Sequence, residues 1–524
     1  MFLFSSARLA FFSPRLCGKI QPPASHTMIL TCAAMKALEG RAFSEGVSAD
    51  ALMEEAGLQI ARAVRQFFPR PGVCVAVFGK GNNGGDALVA ARHLALWDWD
   101  VRLVAAFPDA EWGPLPRAKF AAATACRRAE IGQLNSISGG PLVMLDGLLG
   151  IGARGELREP LSGITRAINE RRQSSNAVVF ALDIPTGLNG DTGAADPACI
   201  VADHTLAIGF AKRGLVADAA VNFVGRLALL PLRELTARLD AANADEVTAT
   251  PDALATLLPR RDFDTHKGDC GRIGIVAGSR GYLGAAVLCS AACVRAGAGL
   301  VTLYAPRDVA DLLAMKVVPE VMVRALPPTD ELLALRTDVF AIGPGLGLQP
   351  AADVAALVRK FSQPIVLDAD GLNAIASDIG VLDEAAGERV LTPHPGEMER
   401  LVPGSLGRPR REVVESFTRR FPATLLLKGA RTIVGKSGEP MSFNTTGTPG
   451  MAVGGMGDVL TGVIAALIGQ RVRAFDAARI GAWLCGRASE IAISHGGESE
   501  ESLTPSRMLD FLGTAFRDLR AGCF

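Results

Sequence analysis

Residues 444–462, NTTGTPGMAVGGMGDVLTG, place one carboxylate behind a run of glycines at the start of an apolar helical pattern. Gly454, Gly455 and Gly457 let the backbone approach a phosphate closely, and the first free N–H groups of the helix point to the same place. Asp458 stands where it can take a proton from a hydroxyl while those amides hold a phosphoryl group. The segment predicts an anion site that contains a base. The alternative is a glycine-rich turn capped by an aspartate.

Further loops of the C-terminal half carry polar or glycine-rich sequence, and most of them follow an apolar run that predicts a strand. They are HKG at 266–268 with GSRGYLG at 278–284, GPGLG at 343–347, DADGLN at 368–373, TPHPGE at 392–397 and KGART at 428–432. The predicted strands lie at 272–277, 300–304, 339–342, 365–367, 389–391 and 424–427. Loops at the carboxyl ends of strands are where open α/β sheets bind their ligands.

The N-terminal half repeats this arrangement with different motifs. GKGNNGGD at 79–86, DGLLGIGARG at 146–155 and DIPTGLNGDTG at 183–193 each follow a predicted strand. The glycine loop suits a diphosphate, and the Asn and Asp side chains offer oxygen ligands for a hard cation. The alternative is a nucleotide-binding fold with ordinary turns between strands and helices.

The elements that must position these loops alternate between strand and helix. Helical spacing runs from 33 to 68 with a break capped at Ser48 and Asp50, and further strands are predicted at 73–78, 101–106, 142–145, 178–182 and 204–208, with a helix at 87–97. Such alternation predicts parallel sheets wrapped by right-handed crossovers. The pattern lapses at 233–250, which is polar, alanine-rich and free of strand runs, so we predict a linker there.

Length and composition limit the classes of protein that fit. A chain of 524 residues predicts about two to four domains. Lys plus Arg and Asp plus Glu are both 54, so no basic surface argues for nucleic acid or an anionic membrane. The ten cysteines include no CxxC pair, which favours a reducing cytoplasm, and no run of 18 apolar residues predicts a membrane span. Residues 1–28 are predicted to be an extension, either disordered, a targeting peptide or a misassigned start.

The C-terminal motifs resemble those of the ribokinase-like small-molecule kinases, and among them the ADP- or ATP-dependent NAD(P)H-hydrate dehydratases. The resemblance covers residues from about 246 to the end and rests on TPHPGE, DADGLN, KGA and GGxGD together. It implies that Asp458 is the catalytic base and also a substrate contact, and that Mg²⁺ with ADP is used. It further implies substrate contacts at Ala285, Gly345, Gly347 and His394, and nucleotide contacts at Lys428, Gly429, Ala430, Arg431, Thr432 and Gly457. For His394 the alternative is a capped turn with its imidazole on the surface. Met456 stands where these enzymes usually carry Thr or Ala. The backbone N–H is retained with Met at this position.

The N-terminal motifs resemble those of the NAD(P)H-hydrate epimerases over about residues 29–232. The resemblance implies that Asp183 binds substrate and transfers protons. It implies further substrate contacts at Asn82, Asn83, Gly84, Gly85, Asp86, Gly150, Ile151, Gly152, Ala153, Arg154, Gly155 and Glu156. A potassium ion is implied at Asn83, Asp146 and Thr186. Ala87 and Thr186 differ from many relatives, which have Gly and Ser there.

Both halves together resemble the bifunctional NAD(P)H-hydrate repair enzymes. The implied architecture is α/β with two domains, a Rossmann-like three-layer sandwich at 29–232 and a ribokinase-like α/β/α sandwich at 251–524. The implied partners are the hydrated nucleotides and ADP, with no nucleic acid and no membrane, in a homo-oligomer. One rival is a vitamin or sugar kinase with a stable phosphate ester as product. Another treats the N-terminal half as a nucleotide- or partner-binding module without catalysis.

Overall fold

The computed structural model describes residues 27–152, 155–239, 244–347 and 351–523. Predictions for the first 26 residues therefore lie outside the described part. Within it, Thr27 is buried and its carbonyl accepts a hydrogen bond from Thr248 Oγ1 at 3.1 Å. Met28 forms an antiparallel bridge with Val247. These last residues of the predicted extension thus contact the C-terminal half.

The N-terminal half contains a sheet of seven strands in the order β4-β3-β2-β5-β6-β7-β9, all parallel. The short strands β1 and β8 pair separately. Its elements are β1 Ile29–Leu30, α1 Cys32–Ser44, α2 Ala49–Phe67, β2 Val73–Phe78, α3 Asn82–Leu96, β3 Asp100–Ala105, α4 Pro114–Ala122, β4 Arg127–Arg128, β5 Leu142–Gly147, α5 Leu161–Ser174, β6 Ala177–Leu182, β7 His204–Ile208, β8 Ala211–Lys212, α6 Val221–Val224, β9 Arg226–Leu230 and α7 Arg233–Thr236.

The C-terminal half contains a ten-stranded sheet in the order β10-β19-β18-β17-β16-β15-β14-β11-β12-β13. Its elements are β10 Glu246–Ala249, α8 Pro251–Ala255, β11 Arg272–Val276, α9 Leu283–Arg295, β12 Leu300–Ala305, α10 Arg307–Ala314, β13 Val321–Ala325, α11 Thr329–Ala334, β14 Val339–Ile342, α12 Ala351–Lys360, β15 Ile365–Leu367, α13 Asp370–Ile375, β16 Arg389–Leu391, α14 Pro395–Leu401, α15 Arg410–Arg420, β17 Thr424–Leu427, β18 Ile433–Gly435, β19 Met441–Asn444, α16 Met456–Gly469, α17 Ala474–Ser494 and α18 Pro505–Ala521.

The α/β class predicted from the sequence is confirmed, and the two sheets are parallel as predicted except at β18. Most predicted strands match the observed ones within two residues, and α2 is capped by Ser48, whose side chain accepts from Ala51 N. Among the described residues, no helix is long and apolar enough to cross a lipid bilayer.

Two local expectations differ from the structure. The segment at 246–249, expected to lie in a strandless linker, forms β10 and pairs in parallel with β19. β18 runs antiparallel to both of its neighbours, because the short connections at 428–432 and 436–440 cannot make the long crossover that parallel strands need. β10 has only four residues and lies at the edge of the sheet, beside β19. Its hydrophobic pattern is therefore too weak to be recognised in the sequence.

Helix α3 also differs, since it begins at Asn82 rather than at the predicted Ala87. The glycines of this first turn are poor helix formers, but tertiary packing demands them. A Cβ at Gly84 would lie 2.1 Å from the carbonyl oxygen of Gly79. The GNNGGD motif is therefore the start of a helix packed against the end of β2, and Asn83 and Asp86 are helical residues.

Candidate active sites

Asp458 lies in the first turn of α16, which begins at Met456. Gly455 forms the N-cap in the left-handed region, with φ +98°, a conformation that glycine adopts without strain. The cap is thus Gly455 and not Asp458. Met456 packs into the apolar core, so it presents its backbone rather than its side chain at this helix start. The first turn of α16 therefore carries both the free amides of the helix start and the Asp458 carboxylate.

A lysine and three further polar side chains lie beside this helix start. Lys428 Nζ contacts Asp368 Oδ1 at 2.8 Å and Glu397 Oε2 at 3.5 Å. Thr461 Oγ1 donates to Asp368 Oδ2 at 2.9 Å, which fixes the second oxygen of that buried carboxylate. A Cβ at Gly457 would lie 3.1 Å from Lys428 Nζ, so the glycine of GGMGD brings the backbone close to the lysine. Four separate loops thus converge on one polar centre.

The pKa of Asp458 is raised to about 7. Burial is the largest cause, the neighbouring carboxylate of Asp368 adds to it, and Lys428 acts in the opposite direction. A carboxylate with a pKa near neutrality is suited to general-base catalysis, since it is partly deprotonated at working pH and still basic enough to accept a proton.

The loop after β14 and the first turn of α9 bring three predicted substrate contacts together. A Cβ at Gly345 would lie 3.0 Å from the Cβ of Ala285, and Gly345 has φ +56°. Ser279 Oγ donates to the Gly345 carbonyl at 2.9 Å, and Gly347 N donates to Asp370 Oδ2 at 2.8 Å. The structure therefore places Ala285, Gly345 and Gly347 in one wall of the site.

His394 caps α14, and its Nδ1 accepts from Gly396 N at 3.0 Å and from Glu397 N at 3.3 Å. Its side chain is 52% exposed, and its Nε2 lies 3.5 Å from Glu397 Oε1. The capped turn that the sequence offered as the alternative for His394 is therefore present. Glu397 links this turn to Lys428. Because Nδ1 accepts, the other ring nitrogen is the one that can donate to a ligand.

The predicted nucleotide segment 428–432 is the hairpin between β17 and β18. Gly429 and Ala430 are exposed, which leaves their backbone open to a ligand, and Thr432 Oγ1 donates to the Gly429 carbonyl at 3.0 Å. Arg431 is different, because its side chain is only 3% exposed and its Nη2 donates to the Gly225 carbonyl of the other domain at 2.8 Å. Only the backbone of Arg431 is presented with the rest of the segment.

In the N-terminal half, the three predicted potassium ligands lie around the end of β5. Thr186 Oγ1 donates to Asp146 Oδ1 at 2.7 Å and accepts from Leu149 N at 3.1 Å. Asn83 Nδ2 donates to the carbonyls of Leu149 and Leu182 at 2.8 and 3.1 Å. This orientation turns Asn83 Oδ1 inward, where it is buried without a hydrogen-bond partner. A buried oxygen of that kind suits a cation, and burial raises the pKa of Asp146 to about 6.

Asp183 follows β6 with φ +66°, a left-handed backbone that is uncommon for a residue other than glycine. Its Oδ1 contacts the ammonium of Lys212, which is fully buried, and accepts from Ile208 N at 3.2 Å. Burial, aided by the charges of Asp183 and Glu39, raises the pKa of Asp86 well above its ordinary value. The site therefore contains a lysine-paired carboxylate beside one that favours its protonated form.

The predicted loop 150–156 joins this site at its first residue. A Cβ at Gly150 would lie 3.5 Å from Asn83 Cβ and 3.8 Å from Asp183 Oδ2. Ile151 is partly buried, whereas Gly152, Gly155 and Glu156 are exposed. Ala153 and Arg154 lie outside the described residues, so their predicted contacts stay predictions.

Several side chains of the two centres were not identified as site residues from the sequence. They are Glu39 and Lys212 in the N-terminal half and Asp368, Glu397 and Thr461 in the C-terminal half. The loops with Asp368 and Glu397 were recognised, but not these residues, and Thr461 lies one turn after Asp458 on α16. Lys212 had one signal, since it is the first of two cations, Lys212 and Arg213, after the apolar run LAIGFA at 206–211. Within the described residues no three His, Cys, Asp or Glu side chains are grouped as a metal site.

Comparison with known proteins finds relatives of both halves of the chain. A family model described as NAD(P)H-hydrate dehydratase matches residues 273–508, and one described as YjeF-related protein N-terminus matches residues 49–214. The bifunctional NAD(P)H-hydrate repair enzyme Nnr of Moorella thermoacetica is 35% identical over 94% of this chain and 97% of its own length. The Escherichia coli K12 enzyme of the same name is 35% identical over 86% and 87%. The crystal structure of the Bacillus subtilis ADP/ATP-dependent NAD(P)H-hydrate dehydratase, co-crystallized with ATP/Mg²⁺, is 26% identical, with a TM-score of 0.46 over 52% of this chain and 98% of that one.

Proposed function

The chain belongs to the family of bifunctional NAD(P)H-hydrate repair enzymes, and from that membership and the two centres we propose how it repairs its substrate. The N-terminal domain interconverts the R and S forms of hydrated NAD(P)H. The C-terminal domain dehydrates the S form to NAD(P)H with ADP and releases AMP and phosphate. The observation that carries the C-terminal assignment is the Asp458 carboxylate, with a pKa of about 7, at the amide-rich start of α16.

Dehydration needs a better leaving group than hydroxide. Asp458 removes the proton of the ring hydroxyl, and the resulting oxygen attacks the terminal phosphoryl group of ADP. The amides of the first turn of α16 and the ammonium of Lys428 stabilise the negative charge of the transferring group. The phosphorylated oxygen then leaves as phosphate, assisted by the lone pair of the ring nitrogen, and loss of a ring proton restores NAD(P)H.

Magnesium fits this centre as a companion of the nucleotide. Asp368, Glu397 and Asp370 all act on Asp458 as negative charges, so a site that binds ADP benefits from an added cation. Mg²⁺ usually keeps several waters and is bound by phosphates and one or two carboxylates rather than by a full protein cage. When bound, it would neutralise charge on the phosphoryl oxygens.

Epimerisation needs one acid and one base and no nucleotide cosubstrate. Asp183, which contacts the ammonium of Lys212, removes the hydroxyl proton while the carbon–nitrogen bond of the hydrated carbon breaks and Asp86 protonates the ring nitrogen. The carbon becomes an aldehyde, and closure on its other face with the proton transfers reversed gives the second epimer. Two carboxyl groups with different environments divide the acid and base roles in this way.

Potassium completes the N-terminal proposal. Asn83, Asp146 and Thr186 offer only oxygen donors with one carboxylate among them, and the inward Asn83 Oδ1 has no other partner. So low a charge suits a monovalent ion better than Mg²⁺ or Zn²⁺. The ion would hold the loop that starts at Gly150 beside Asp183, which is a positional role.

The test uses purified protein, mixed epimers of hydrated NADH, and ADP present or withheld. We expect the epimer ratio to relax without ADP, and NADH, AMP and phosphate to form in equal amounts with ADP. A stable phosphate ester would instead identify a kinase. An epimer ratio that does not relax would leave the N-terminal half as a binding module.

Two further parts of the proposal concern the state of the protein. The cysteines of the described residues are all free, which agrees with a reducing cytoplasm. We also propose a homo-oligomer, which light scattering of the purified chain would test.

A further inference from the structure

One stretch of the N-terminal domain, residues 218–226, contacts the two loops of the C-terminal domain that flank its nucleotide site. We name it the 218–226 segment. The contacts come from Asp218, Gly225 and Arg226, and all three reach the neighbourhood of the hairpin 428–432 or of the loop that begins at Gly447.

The first contact runs from Arg226 through Glu490. Arg226 Nε lies 3.0 Å from Glu490 Oε1, and both side chains are nearly buried, with 6% and 11% exposure. The same Oε1 accepts from Gly447 N at 2.9 Å. Gly447 lies in the loop that leads from β19 to GGMGD and has φ +129°, a backbone conformation that favours glycine. Hydrogen bonds to charged groups are stronger than neutral ones, which makes Glu490 an effective anchor.

The second contact holds the hairpin itself. Arg431 Nη2 donates to the Gly225 carbonyl at 2.8 Å. Gly225 has φ +57°, and a Cβ there would lie 2.4 Å from the Asp203 carbonyl oxygen, so only glycine can present its carbonyl in this turn. The side chain of Arg431 is thus committed to the domain interface, and it fixes the backbone that the nucleotide is proposed to meet.

The third contact reaches the hairpin through Arg410. Asp218 accepts from Arg410 N at 2.9 Å and from Arg410 Nε at 2.8 Å, which ties it to the first turn of α15. A Cβ at Gly429 would lie 1.9 Å from Arg410 Nη1, so this guanidinium packs directly against the hairpin. The two domains also share a continuous apolar cluster that includes Leu227 and Ile433.

From these contacts we propose that the 218–226 segment positions the nucleotide-binding loops of the C-terminal domain, so that affinity for ADP depends on the N-terminal domain. The inference rests on the proposed ADP-dependent dehydration. Arg226 and Asp218 are positioning residues, since they touch neither substrate nor nucleotide. The contacts between the two domains are thereby energetically coupled to the binding of the nucleotide.

The experiment compares Arg226→Met and Asp218→Asn with the wild type in the full-length chain. Met keeps the aliphatic length of the side chain but loses the guanidinium that lies over the Phe67 ring, and Glu490 keeps its pairing with Arg487, so the fold should persist. We expect the Kd and the KM for ADP to rise by about five- to fiftyfold with kcat and epimerisation unchanged. Arg226→Lys should recover most of the loss, because it restores the charge opposite Glu490.

Two matched controls break ion pairs that stay within the N-terminal domain. Arg102→Met removes a pair with Asp100 at 2.7 Å, and Asp109→Asn removes an exposed pair with Arg128 at 2.8 Å. Neither should change the affinity for ADP. If Arg226→Met fails to fold, Asp218→Asn decides alone, since that carboxylate is 39% exposed.

The outcomes separate this inference from the proposed function. Wild-type affinity for ADP in both folded variants would overturn the positioning role while leaving dehydration intact. An equal loss in the controls would also overturn it, because the effect would then be general destabilisation. A wild type that does not bind ADP in calorimetry would overturn the nucleotide site and this inference with it.

Discussion

The two centres contain the same kinds of side chain, a lysine among several carboxyl groups, but the lysine has a different partner in each. In the N-terminal centre, Lys212 contacts Asp183, the residue proposed to act as base. In the C-terminal centre, Lys428 contacts Asp368 at 2.8 Å, and the proposed base Asp458 lies outside that pair.

This difference teaches which carboxyl group holds a proton. A carboxyl group that is buried without a direct cation favours its neutral form, and a raised pKa is found for Asp86 in one centre and for Asp458 in the other. In the N-terminal centre the neutral group can supply a proton at once. In the C-terminal centre it must first lose one, so the two reactions should respond differently to pH and to substitution.

The largest expected effect is that of Asp458→Asn on dehydration. The amide has nearly the same shape but accepts no proton at neutral pH, so a loss of about 10²–10⁴-fold is expected. NADH formation from the S hydrate with ADP measures it, and relaxation of the epimer ratio is the internal control. Dehydratase turnover near that of the wild type would remove Asp458 from the mechanism.

Asp86→Asn should impair the other centre by about 10²-fold, because an amide cannot donate the proton that ring opening needs. Epimerisation is followed by the ratio of R and S hydrates without ADP. Asp50→Asn, at an exposed carboxylate paired with Lys119, is the control on the neighbouring helix. If epimerisation survives in Asp86→Asn, the acid role belongs elsewhere.

The pH dependence sharpens the contrast further. Asp458 must be deprotonated to act, and its raised pKa means that the protonated, inactive form dominates below about pH 7. The kcat/KM of dehydration should therefore fall about tenfold for each pH unit below that value and level off above it. Lys428→Met removes a positive charge that lowers the pKa of Asp458. The fall of kcat/KM on the acid side of the profile should therefore begin at a higher pH in this variant. If the acid side of the profile does not shift in this variant, the titrating group is not Asp458.

The smallest effect is expected at the potassium site. Asp146→Ala should weaken binding of the hydrated nucleotide about fivefold, equivalent to about 1 kcal/mol, and abolish stimulation of epimerisation by potassium. ADP-dependent dehydration of pure S hydrate should not change. The ion site would be contradicted if the wild type epimerises equally fast in sodium and in potassium and the Asp146→Ala variant keeps that rate.

Much of the arrangement was predictable because its signals are local in the chain. Buried parallel strands are short apolar runs, and the loops that follow them carry glycine and acidic residues, so β2, β7 and β14 through β17 were predicted at their observed bounds. The short strand β10 and the antiparallel β18 were not, since their pairing depends on partners that are distant in sequence or on connection lengths.

The sequence by itself determined the α/β class, the family and the motifs that carry Asp183 and Asp458. Only the tertiary structure decided what surrounds them. Asp368 meets Lys428 because β15 and β17 end at the same edge of one sheet, and Lys212, on β8 just after β7, meets Asp183 after the neighbouring strand β6. Arg431, predicted as a nucleotide contact, directs its side chain to the other domain and leaves only its backbone for that contact. The physical reason is that charge pairing and burial depend on distances in space, whereas a motif records only spacing along the chain.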